Sequence, residues 1–297
     1  MSLLLLISVP LCGIGQSKQK ALADLKSLLY SEKEWVKVHV AEFLLWEGYY
    51  VDEVRTEFLK EERQFGHVPK YRIGIWRVLA QAVRDEKDGQ YWINKIIEAY
   101  YDTKGEDRLH AIETLAKLQI YVVRNLPENV EGSFRLYSFW NHALGSVRAQ
   151  HKVKDILIQD LVNNKSMELE MYVTSYILRY IGPLSKKEYY QIQAWMAEKD
   201  IKIALRSNLL ATLLISCPEN RDVGAYQALK QELISLRDHI EAIPHIMTAL
   251  AQKIDTDDQK VIRDIYESMC DGESRNYNSD LHATAAYMVL RGSNSVK

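Results

Sequence analysis

Residues 38–48 read VHVAEFLLWEG and residues 109–119 read LHAIETLAKLQ. Laid over one another without gaps, they place His39 on His110 and Leu44 on Leu115. A third copy, LHATAAYMVLRG at 281–292, keeps the register through His282. Looser copies stand at 71–82 (YRIGIWRVLAQA), 134–145 (FRLYSFWNHALG), 171–182 (MYVTSYILRYIG), 205–216 (LRSNLLATLLIS) and 244–255 (PHIMTALAQKID). Marked by their second residue they fall at 39, 72, 110, 135, 172, 206, 245 and 282, at intervals of 33, 38, 25, 37, 34, 39 and 37. Within each copy apolar residues recur every three or four positions, the period of a helix with a buried side.

Between the copies a second amphipathic helix is predicted over 52–63, 90–101, 153–162, 186–197, 226–237 and 258–269. The 25-residue interval leaves room only for a truncated partner before the copy at 134–145. A helix pair every ~35 residues cannot bury its apolar side alone and must stack on its neighbours. Alternating β-branched stretches with hairpin turns are missing from the sequence, and Gly and Pro fall between the helical segments. The fold class expected is all-α: an α-solenoid of about eight stacked helical hairpins, forming a single domain over 16–297. The alternative is an (α/α) toroid, which also alternates inner and outer helices but closes on itself.

The copies resemble the second helix of HEAT repeats, with a polar residue and a small residue near the start and Leu or Ile along the inner side. His110-Ala111 with Leu115 and Leu118, and His282-Ala283 with Leu290, carry the resemblance. The usual Pro of the first helix and the regular Asp/Arg ladder are largely missing, which leaves a related helical-hairpin solenoid open. The resemblance implies a surface that binds partners.

Composition agrees with a core-forming chain. Of 297 residues 47% are apolar and 26% charged, which excludes wholesale disorder. Lys plus Arg number 38 against 40 Asp plus Glu, for a net charge of −2. That balance lacks the basic excess of a dedicated nucleic-acid binder, so no nucleic-acid partner is expected.

Residues 3–11, LLLLISVPL, form an apolar run too short to cross a bilayer, which takes about 20 residues. Its length suits the apolar region of a signal peptide, with Gly13-Ile14-Gly15 as the cleavage pattern, although no basic residue precedes it. Residues 1–15 are therefore expected to be a signal peptide. The chain is expected to be exported to the periplasm or cell envelope, with no transmembrane segment after cleavage; the alternatives are a buried amino-terminal helix and a cytoplasmic protein. Cys217 and Cys270 would remain, more in keeping with buried thiols than with a disulfide framework.

Chemistry is sparsely signalled. G-x-S-x-G, G-x-x-x-x-G-K-[ST], G-x-G-x-x-G, H-E-x-x-H and C-x-x-C are all missing from the sequence. Equivalent positions in adjacent repeats stand ~10 Å apart, so the repeated histidines do not converge on one ion, and no metal or cofactor is expected. Glu42 and Glu113 occupy equivalent positions and read as solvated or ion-paired. The 18 Tyr, 6 Trp and 5 Phe read first as packing at helix ends, as in the Tyr49-Tyr50, Tyr100-Tyr101 and Tyr189-Tyr190 doublets, and second as stacking surfaces for sugars or proteins.

A candidate binding face follows from two features. Residues 66–84, GHVPKYRIGIWRVLAQAVR, concentrate His67, Lys70, Tyr71, Arg72, Trp76 and Arg77. His39, Arg72, His110, Arg135, Arg206, His245 and His282 share one register, which Tyr172 interrupts. The face proposed from them comprises Arg72, Trp76, Arg77, His39, His110 and Arg135. In the structural version of this ladder each residue pairs with a carboxylate of the next repeat, such as Glu34, Asp107 or Asp280; in the functional version Arg72 and Arg135 keep free donors. Acidification through ~6.5 would then charge the histidines and favour acidic ligands. The expected function is a non-catalytic interaction module holding a protein or an extended anionic polymer (glycan). The alternative is a carbohydrate-active enzyme or glycan-binding protein on a toroid, and closure of the array discriminates between them.

Overall fold

The computed structural model describes residues 12–128, 130–163, 167–218, 222–251, 256–270 and 278–294. Among them are fifteen α-helices, one short 3-10 turn at Ile240–Ala242 and no strand. The expected all-α class is what the chain adopts. The apolar run at 3–11 lies outside the described residues, and the expected cleavage point near Gly15 falls within the first helix.

Eight helices coincide with the eight sequence copies: α2 (Glu34–Trp46), α4 (Tyr71–Gln81), α6 (Arg108–Lys117), α7 (Gly132–Ala143), α9 (Glu168–Leu178), α11 (Ile203–Ile215), α13 (Ile243–Leu250) and α15 (Ser279–Asn294). Seven others alternate with them: α1 (Cys12–Ser31), α3 (Val51–Phe65), α5 (Glu86–Tyr101), α8 (Val147–Val162), α10 (Lys186–Ala197), α12 (Val223–Ser235) and α14 (Thr256–Cys270). Each helix of the first set packs on the next: α2 on α4, α4 on α6, α6 on α7, and so through α9, α11, α13 and α15. The sequence of contacts then returns to its start, because α15 packs on both α1 and α2. Among the described helices these contacts form a cycle.

Position in this array explains the sequence of each set. An inner helix is covered on several sides, so α11 buries Leu205 and an unbroken run from Ser207 to Leu214. The alternate helices bury one stripe each, and α3 buries only Val54, Arg55 and Phe58. Leu44, Leu115, Ile177 and Leu210, equivalent or adjacent in their copies, and Leu290 one turn further along its own, have no exposed surface, and Trp76 is also buried. Each such side chain contributes about 1.5–3 kcal/mol of transfer free energy.

Several outer helices begin earlier than their apolar periodicity predicts. Asp85, Ser146 and Asp222 accept hydrogen bonds from the backbone N–H three residues on, starting α5, α8 and α12 at residues 86, 147 and 223. Their first turns are polar, so periodicity alone missed them. Among the described residues of the short interval no helix stands between α6 and α7. The buried Asn141 of α7 accepts from the Val122 and Val123 N–H groups and donates to the Ile120 carbonyl. One amide side chain thus satisfies a backbone that a helix would otherwise have paired.

Gly74 lets α4 approach α2: a Cβ there would stand 2.9 Å from Val38 Cγ2 and 3.1 Å from the Trp35 ring. Cys217 is a free thiol packed against the core, and the side chain of Cys270 lies outside the described residues.

Candidate functional site

The inner helices run parallel, so like ends meet. Arg72, in the first turn of α4, donates from Nε at 2.7 Å and again from Nη2 to Asp107, beside the start of α6. His39 of α2 pairs with Asp280 of α15 at 2.7 Å, which ties the two ends of the chain together. At the opposite ends of the helices Trp46 Nε1 donates to Gln81 Oε1 at 2.8 Å.

The polar register is largely a row of structural pairs. Arg135 pairs with Asp160 at 3.0 Å, Arg206 with Glu232, and His282 with Asp24 at 3.0 Å, each reaching an outer helix. His110 lies 3.9 Å from Glu113 on its own helix and packs on the Trp35 ring, centroids 5.4 Å apart. Tyr172, which interrupts the series in sequence, joins it in space: its hydroxyl is 2.9 Å from His245 Nε2. Arg72 and Arg135 also lie over Trp76 and Phe139, at 5.5 and 4.5 Å. Asp107 and Asp280 are thus partners, as the structural version of the ladder expects.

Trp76 and Arg77 do not join an exposed face. Arg77 is buried and donates to Glu42 at 2.7 Å, and Gln81 donates to the second oxygen of the same carboxylate at 2.9 Å. Tyr71 is buried too, its hydroxyl donating to Glu61 at 2.6 Å. The dense segment at 66–84 was read as a patch, but helix α4 turns its aromatic and basic residues inward because it is covered on several sides.

Deeper along the inner helices, charged and aromatic residues form a continuous cluster. Lys117 donates to Glu113 at 2.7 Å, and its ammonium lies 5.9 Å from the centre of the Tyr176 ring. Burial opposes ionisation of Glu113, but the neighbouring His110, the Lys117 ammonium bonded to it and the charge of Arg77 prevail and hold its carboxyl at about 2. Burial pushes the Tyr137 hydroxyl up, helped by the negative charge of Glu113. Trp140 of α7 stacks on Tyr180 with centroids 5.0 Å apart, and Tyr176 lies 5.1 Å from Tyr180. Phe43 stacks on Tyr287 at 4.6 Å, and Trp46 meets the same ring edge-on at 5.7 Å. Burial raises the Tyr287 hydroxyl against the opposing charge of Arg291. Trp46 and Tyr180 remain 53% and 48% exposed, so this end of the cluster opens to solvent.

Beside it, Arg179 and His245 share a polar pocket of α9, α11 and α13. Arg179 donates to Thr212 Oγ1 at 2.9 Å and to the backbone and side-chain oxygens of Asn208. Its Nη2 lies 3.4 Å from His245 Nδ1. Because a guanidinium only donates, that nitrogen accepts and Nε2 carries the proton toward the Tyr172 oxygen. Burial, reinforced by the Arg179 charge, pulls His245 down to about 3. The expectation that the register histidines charge together near 6.5 is therefore corrected at this position: His245 stays neutral.

The site residues lie one and two turns beyond the register: Glu42 and Trp46 after His39, Glu113 and Lys117 after His110, Tyr176 and Arg179 after Tyr172; of these the sequence singled out only Glu42 and Glu113, as solvated or ion-paired carboxylates. Spacings of three, four and seven put each set on one helical stripe, and that stripe was the available signal. Among the described residues no group of three or more His, Cys, Asp or Glu side chains converges as a metal site, and no helix is long and apolar enough to cross a membrane. Comparison with family models, with curated proteins and with solved structures found no match to this chain.

Proposed function

We propose that the chain is a non-catalytic binding module, its HEAT-like hairpins joined into a toroid, and that it holds a protein or an extended anionic polymer (glycan) where the inner helices end. The observation that carries the reading is the pairing of exposed aromatic rings, Trp46 and Tyr180, with carboxylates that are already committed. Glu42 is held by Arg77 and Gln81, and Glu113 by Lys117. A general acid must carry its proton at the working pH, and a carboxyl held at about 2 does not. Amphipathic rings with one wet edge suit recognition instead.

A second reading, a carbohydrate-active enzyme on the same toroid, draws on the closure of the array and the inward position of those two carboxylates. The two are separated by incubating the purified protein with oligosaccharides and with candidate protein partners. Binding without product, weakened in Trp46→Ala plus Tyr180→Ala, supports the module. Product formation supports the enzyme. The reading includes export, for which the native protein should begin near Gln16 by mass spectrometry.

A further inference from the structure

Cations enclosed in a folded chain are ordinarily neutralised by a carboxylate, since a lone charge in a poorly hydrated place is costly. The chain follows this rule at Lys37 with Glu57 and Glu61, Arg55 with Asp88, Arg77 with Glu42, Lys154 with Glu188 and Lys230 with Asp258. Arg179, half-buried rather than enclosed, has no such partner. Its partners are Thr212, Asn208 and His245, all neutral, and Nη1 takes no part in those bonds. Among the described residues no carboxylate pairs with it. His245, with its proton on the far nitrogen, presents a lone pair and no countercharge.

The surroundings are those of a site rather than a gap in packing. The Arg179 guanidinium lies 6.0 Å from the centre of the Tyr176 ring, and the Lys117 ammonium lies 5.9 Å from the same ring. Tyr180, the next residue, is half exposed and backed by Trp140. Lys117 is already paired with Glu113, so the free charge is that of Arg179; a half-buried cation with an unused donor beside amphipathic rings is complementary to a molecule that is both anionic and flat-faced. Sugar rings offer a flat C–H face to an aromatic ring and hydroxyls to its polar edge, and guanidinium binds carboxylate or sulfate through directed N–H donors.

We propose that Arg179, with Tyr176 and Tyr180, forms a binding site for the anionic group of an acidic saccharide, a uronate or a sulfate ester, whose ring lies against the tyrosines. This rests on the binding-module reading and names its ligand class. Arg179 supplies the charge and the free Nη1 donor, while Thr212 and Asn208 fix the guanidinium plane. Tyr180 supplies the entry face.

The test is calorimetric titration of the full chain with matched oligosaccharides, one neutral, one uronate-bearing and one sulfated, and with inorganic sulfate. At least one acidic oligosaccharide should bind roughly tenfold or more tightly than the neutral one, and which acid wins identifies the group. Arg179→Gln should erase the acid preference. Tyr180→Ala, at an exposed position, should weaken acidic binding about 2- to 10-fold. The proposal is overturned if neutral and acidic sugars bind alike or not at all, or if inorganic sulfate binds as well as either saccharide. A folded Arg179→Gln that keeps the preference overturns it too. Should that variant fail to fold by circular dichroism, Tyr180→Ala decides, and undiminished acidic binding there is the overturning result. New reducing ends appearing during incubation would instead refute the non-catalytic reading, whatever the acid preference.

Discussion

Phe43 and Tyr287, on the second helix and the last, lie face to face with ring centroids 4.6 Å apart and planes 5° from parallel. The stack joins the two ends of the chain and stands with His39–Asp280 and Asp24–His282 along one seam. The Tyr266 hydroxyl adds a 2.6 Å bond to Asp24. Stability of the array therefore depends on contacts between helices far apart in sequence.

Phe43→Ala and Tyr287→Ala should each destabilise the protein, and the double variant by less than their sum. The coupling expected for a stacked pair is about 0.5–1.5 kcal/mol. Urea denaturation of the four proteins measures it, and strict additivity would mean that the seam is not held by this stack.

Leu115 is fully buried in α6. Leu115→Ala should cost about 2–5 kcal/mol, the range for truncating an enclosed leucine. A loss below about 1 kcal/mol would contradict its core position.

The two arginines of the polar register should behave unequally. The Asp107 side chain is 1% exposed, so Arg72→Ala leaves its carboxylate with only the Lys70 N–H and should cost about 2–3 kcal/mol. Arg135 and Asp160 are 30% and 19% exposed, and Arg135→Ala should cost about 1 kcal/mol or less. Thermal melts of the single variants give the comparison.

Acid should weaken the fold in two stages. His245 falls from 6.5 to about 3 on folding, so the unfolded chain takes up its proton first. Its stabilisation is complete above about 6.5 and is lost as pH falls toward 3, at up to about 1.4 kcal/mol per pH unit. Glu113 falls from 4.5 to about 2, and its contribution is present above 4.5 and lost as pH falls toward 2. Urea midpoints of the wild type should therefore drop between pH 6.5 and 4.5, and those of His245→Gln should drop less. Glu113→Gln should keep that upper loss and flatten the one below 4.5. Equal slopes in wild type and His245→Gln would show that His245 is not kept neutral.

Gly74→Ala should cost about 1–3 kcal/mol, because Val38 and Trp35 occupy the space its methyl needs. Unchanged stability would mean that α2 and α4 shift apart freely.

Much of the fold was legible in the chain because helical periodicity is local. The register through His39, His110 and His282 located α2, α6 and α15, and the shared leucines fell in the core. Only the outer-helix starts slipped, where Asp85, Ser146 and Asp222 act through short polar bonds that leave no apolar period. Closure was not legible: whether hairpins stack open or return on themselves depends on small rotations summed over every repeat, and no single segment encodes the sum. The same holds for the site. The dense aromatic and basic segment at 66–84 suggests a ligand face that includes Trp76 and Arg77, yet the covered sides of α4 bury both. Sequence by itself determined the helices, their pairing and the residues that line each inner stripe. Tertiary structure alone decided that Glu42 and Glu113 meet cations while Arg179 meets neutral oxygens, since that depends on which stripes face each other across the array.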